Sequence, residues 1–133
     1  MKYLLLVLCS CLFCSAKGQQ VRLSCGLLQA AIKTDIFQKR FNICKSDEDM
    51  HAVDTSKSFA GCTLKDVCKK RISVHSDTTG IGEKDVIEIY RIDRKKNVFT
   101  LYFHRLATGA TLILTLKYEK EKAKLLKYKV GAF

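Results

Sequence analysis

Apolar residues recur at helical spacing from Val21 to Cys44: Val21, Cys25, Leu28, Ile32 and Ile36, with Leu27, Ala31, Phe37 and Phe41 widening the stripe. Lys33, Lys39 and Arg40 fall largely outside it, which predicts one amphipathic helix with a single buried face. The acidic stretch Lys45–Ser58 has little periodicity and reads as a loop. Thr63-Leu64-Lys65-Asp66 has capping-box form, with Asp in place of Glu, and predicts a short helix through Lys70.

From Arg71 onward the period becomes two. Five strands are predicted: Arg71–Ser76, Asp85–Ile92, Val98–Arg105, Thr111–Tyr118 and Leu125–Gly131. Leu112, Leu114, Leu116 and Tyr118 share one face, and Ile113, Thr115, Lys117 and Glu119 the other. Phe99, Leu101 and Phe103 alternate with Thr100, Tyr102 and His104 in the same way, as half-buried antiparallel strands do. The stretches between the strands are short enough to join antiparallel neighbours. The expected fold class is α+β: an N-terminal amphipathic helix packed on a five-stranded antiparallel meander, disulfide-stapled in the N-terminal half.

The first residues are set apart from this fold. Lys2 precedes an apolar run, Tyr3–Phe13, and small residues follow as Cys14-Ser15-Ala16 and Ala16-Lys17-Gly18. The run is too short for a bilayer span, which takes about 20 residues, and has the form of a secretory signal peptide over Met1–Gly18. The remainder, 19–133, is expected to be a single secreted domain. Removing the leader takes Cys9, Cys11 and Cys14 with it and leaves Cys25, Cys44, Cys62 and Cys68, an even set suited to two disulfides. Spacing does not choose among the three connectivities; a bridge from Cys25 or Cys44 to the Cys62–Cys68 segment closes the longer loop.

Charge changes the picture most. The chain carries 24 Lys and Arg against 13 Asp and Glu, a formal +11, and loss of Lys2 and Lys17 would leave +9. In an up-and-down meander alternate connections meet at one end. That rule brings together Lys69, Lys70 and Arg71, then Arg94, Lys95 and Lys96, then Lys117, Lys120, Lys122 and Lys124. Such a field attracts polyanions. The expected partner is an acidic extracellular macromolecule: a glycosaminoglycan (heparin-like), an anionic cell surface or an acidic protein. Nucleic acid ranks lower, because Lys outnumbers Arg 18 to 6 and no Trp offers a stacking platform.

Catalytic and metal chemistry find weaker support. A ribonuclease-like hydrolase needs two histidines near a phosphate-binding lysine. His75 and His104 are the candidates, but the meander puts them at the end away from the lysines. Asp47, Asp49, His51 and Asp54 start like a calcium loop, yet Ala52 and Ser58 replace its Gly and Glu. Cys62 and Cys68 are too widely spaced for a zinc knuckle. No cofactor is expected, and the protein is expected to bind and not to catalyse. A small carrier of an apolar ligand, in the role lipocalins fill, is the alternative, because Val98, Tyr102 and Ile113 make the second sheet face partly apolar.

Overall fold

The computed structural model describes residues 22–45, 50–81 and 85–132. The expected leader over 1–18 lies outside the described residues, as do Asp47 and Asp49.

The N-terminal stripe forms two helices, not one: α1 (Cys25–Ile32) and α2 (Asp35–Phe41), followed by a 3-10 turn at Ile43–Lys45. Thr34 makes the break. Its hydroxyl donates to the Ala31 carbonyl at 2.7 Å and accepts from Phe37 N–H at 3.3 Å, so one side chain closes α1 and opens α2. Local hydrogen bonding of this kind competes with helix continuation. Ser24 caps α1 by accepting from Gly26 N–H. Asn42 ends α2 in the left-handed conformation that its short polar side chain tolerates.

The sheet has seven strands in the order β2-β3-β1-β4-β5-β6-β7. They are β1 (His51–Asp54), β2 (Thr63–Val67), β3 (Lys70–His75), β4 (Val86–Lys95), β5 (Val98–Arg105), β6 (Ala110–Glu119) and β7 (Lys122–Ala132). The last four form the antiparallel meander, with bulges at Tyr90 and Leu126 that bend it locally. The five-strand expectation is therefore corrected in two places. The acidic stretch contains a short strand, β1, which lies between β3 and β4 and runs parallel to both. The expected helix at Thr63–Lys70 is instead β2, paired antiparallel with β3 through a tight Cys68-Lys69 turn. Leu64 and Val67 go into the core from it.

Leu27, Leu28, Ala31 and Ile32 of α1, with Phe37 and Phe41 of α2, are buried against one face of the sheet. Phe37 meets Phe41 and Phe103 edge-on at 4.9 and 5.0 Å between centroids. Gln29 of α1 reaches the β2 edge, its amide donating to Lys65 O at 2.7 Å and accepting from Lys65 N–H at 2.9 Å. It thereby acts as one rung of a missing strand. Both disulfides, Cys25–Cys62 and Cys44–Cys68, tie the helical segment to the β2–β3 hairpin. They span 37 and 24 residues, and loop-closure entropy makes each worth about 3–4 kcal/mol.

Candidate anion-binding surface

Antiparallel register decides which lysines meet. Lys95 pairs with Val98, Val98 with Lys117, and Lys117 with Lys124, so these four residues form one row across four strands. Paired residues share a sheet face, and at about 4.8 Å per strand the row spans about 14 Å. The adjacent row contains Phe99 and Leu116, both buried beneath the helices. The lysine row therefore lies on the opposite face. Along β7 the same face carries Lys122 opposite Glu119, Lys124 opposite Lys117, Lys127 opposite Thr115 and Lys129 opposite Ile113. This ladder of cations runs roughly 20 Å along an edge strand at the usual rise.

Two turns extend the surface. Lys96 lies in the β4–β5 turn with φ 56°, and Lys120 and Glu121 form the β6–β7 turn with φ 49° and 62°. Tight hairpins demand such backbone angles, and Gly or Asn normally supplies them. Lysine held there costs local stability, as residues at functional sites often do. Lys117, Glu119, Lys120, Lys122 and Lys124 line a groove of about 550 Å³ beside this turn. Glu119 is 3.7 Å from Lys117 in an exposed ion pair.

Four expected residues do not join. Arg94 lies in the row of Phe99 and Leu116, and its guanidinium stacks 5.1 Å over the Phe99 ring. Lys69, Lys70 and Arg71 lie at the other end of the sheet. The inserted β1 makes β3 parallel to β4, so the start of β3 accompanies the start of β4 and not its end. From the level of Lys70 to that of Lys95 is roughly 40 Å of strand. Lys70 also donates to the Ile43 carbonyl at 3.3 Å.

The neighbouring face of β4 and β5 is held by a small polar cluster. Arg91 Nε–H donates to Asp93 at 3.1 Å, the Tyr102 hydroxyl donates to the other Asp93 oxygen at 3.0 Å, and Arg91 stacks 5.0 Å over the Tyr102 ring. The Arg91 hydrogen bond holds the Asp93 carboxyl below its ordinary range, with the Tyr102 hydroxyl adding to it. The same carboxylate raises the Tyr102 phenol above its ordinary value. Thr100, Tyr102, Ile113 and Thr115 floor a trough of about 300 Å³ between this cluster and Lys127 and Lys129.

The histidines do not converge on the lysines. His75, Val53, Glu88 and His104 lie in register across β3, β1, β4 and β5, which separates His75 from His104 by roughly 14 Å. His104 lies 3.9 Å from Glu88. Asp54 is fully buried and its carboxylate closes the turn after β1, accepting from Ser56 N–H at 3.0 Å and Phe59 N–H at 2.8 Å. The apolar pocket between helices and sheet holds about 10 Å³, no more than one water-sized sphere.

Lys127 and Lys129 lie within β7 and not in a connection, so the rule that gathers the basic connections at one end of a meander does not reach them; period-two alternation along the strand is the signal that does. Arg105 had no sequence signal: it ion-pairs with Asp85 and donates to the Phe41 carbonyl, tying β4, β5 and α2 together. Among the described residues no helix is long and apolar enough to cross a membrane. No family model matches the chain, and no curated protein or solved structure matches it.

Proposed function

We propose that this is a secreted binding protein that docks a linear extracellular polyanion, such as a sulfated glycosaminoglycan, on the lysine-bearing face of β5–β7. The observation that carries the reading is the register-built row of Lys95, Lys117 and Lys124, continued along β7 by Lys127 and Lys129. A row and a ladder of cations on one exposed strand suit a partner whose charges repeat along a line. Attraction is by field and not by a forked hydrogen-bond match, since the contributing side chains are lysines. Two disulfides are compatible with an oxidising compartment.

The test is elution salt on immobilised heparin for two charge-matched double variants. Lys117→Glu/Lys124→Glu is expected to elute far below the parent, with a shallower salt dependence because anion contacts have been lost. Lys69→Glu/Arg71→Glu carries the same net charge and is expected to elute close to the parent. Equal losses in the two would mean that net charge alone drives retention, and would refute the site.

A further inference from the structure

We propose that His51 and His75 form a binding site for a divalent first-row transition-metal ion, with zinc as the ion to test first. His51 opens β1 and His75 closes β3, which are parallel neighbours. His75 is in register with Val53, so the two histidines sit diagonally, two positions apart along the sheet. Strand spacing and rise put such positions about 8 Å apart at the backbone. Yet Nδ1 of His51 and Nε2 of His75 approach to 3.2 Å, with ring centroids 5.3 Å apart and planes inclined at 46°. Both side chains lean together across the strands. They are half-buried on the face away from the helices, beside the apolar cluster of Val53, Ile81 and Val86.

Two imidazole nitrogens at this separation can share one proton, or both can turn a lone pair to one ion. Zinc sits about 2.0–2.1 Å from each nitrogen, and a 3.2 Å gap then gives an N–metal–N angle of about 100°, close to tetrahedral. Entry of the ion requires small ring rotations and release of the shared proton. Ring nitrogens select zinc, copper or nickel over calcium and magnesium, which take oxygen ligands. Among the described residues no group of three His, Cys, Asp or Glu side chains comes together. This site is independent of the lysine surface on β5–β7.

The disulfide-intact protein is titrated with zinc chloride alone, followed by calorimetry, thermal unfolding and the histidine ring resonances in NMR spectra. One ion per chain, a rise in Tm and selective shifts of the His51 and His75 rings are expected. His75→Gln retains a hydrogen-bond acceptor for His51 but no imidazole, and should lose the zinc-dependent rise. His104→Gln, three strands away on the same face, should keep it. Copper(II) should bind more tightly than zinc, and calcium should have no effect. Absence of wild-type binding at millimolar zinc, ring shifts confined to His104, or an undiminished Tm rise in His75→Gln would each overturn the proposal. The ring resonances decide the matter on the unaltered chain even where a variant folds poorly.

Discussion

Lys120→Asn separates what the β6–β7 turn does for stability from what it does for binding. Lys120 and Glu121 form a two-residue loop between Glu119 and Lys122, with φ values of 49° and 62°. An L-residue in the left-handed region costs about 1–2 kcal/mol, and Asn recovers part of that because its side chain tolerates the region. The substitution should therefore stabilise the fold by about 0.5–1 kcal/mol, or about 2–4 °C in Tm for a domain of this size. It should at the same time lower the heparin elution salt, because one turn-tip cation is gone. Lys69→Gly is the companion variant: Cys68 and Lys69 adopt the same turn geometry, with φ 53° and 63°, at the far end of the sheet. It should gain stability with no change in elution. Calorimetric melts and heparin elution on the disulfide-intact proteins provide both readings. If Lys120→Asn fails to raise Tm, the strain argument is wrong. If elution is unchanged, the turn is not part of the binding surface.

Other residues make separate predictions. Arg105→Met leaves Asp85 as a buried carboxylate without its cation and should cost about 3–5 kcal/mol in urea unfolding; a loss under 1 kcal/mol would contradict the buried pairing. Removing the longer disulfide as Cys25→Ala/Cys62→Ala should cost about 4 kcal/mol by the loop-closure argument, measured as the shift in denaturation midpoint. The raised Tyr102 phenol favours the folded state below the ordinary tyrosine value near 10, and that contribution is lost as pH climbs through the raised folded value. In an ultraviolet phenolate titration, Asp93→Asn should bring the Tyr102 phenol back down toward the ordinary tyrosine value near 10.

Legibility followed the range of the interactions involved. The strand expected at Val98–Arg105 has those bounds in the structure, and the next two run longer by a few residues. Strict alternation of buried and exposed positions is a local signal, and the β4–β7 meander is built from local hairpins. Of the helical stripe, Leu27, Leu28, Ala31, Ile32, Phe37 and Phe41 are buried as expected, whereas Cys25 is exposed and Ile36 half-buried, and the Thr34 hydroxyl divides the helix in two. β1 could not be read by period: Ala52, Val53 and Asp54 are consecutive and all buried, since the strand has neighbours on both sides and cover on both faces. The four-residue capping pattern at Thr63–Asp66 predicts a helix start, yet the segment is β2, since so short a local pattern does not decide between the two. Its fate as a strand depends on pairing with β3 and on Gln29, 36 residues away.

By itself the amino-acid sequence determined the α+β class, the β4–β7 meander, the four paired cysteines and the excess of lysine, because each depends on composition or on neighbours a few positions apart. The tertiary structure alone decided which charges stand together. Inserting β1 in parallel between β3 and β4 turned the start of β3 away from the other basic turns, while register aligned Lys95, Lys117 and Lys124 on one face. The same insertion brought His51 to His75 across 24 residues of chain. Strand order is set by how the whole core packs, and no local pattern encodes it.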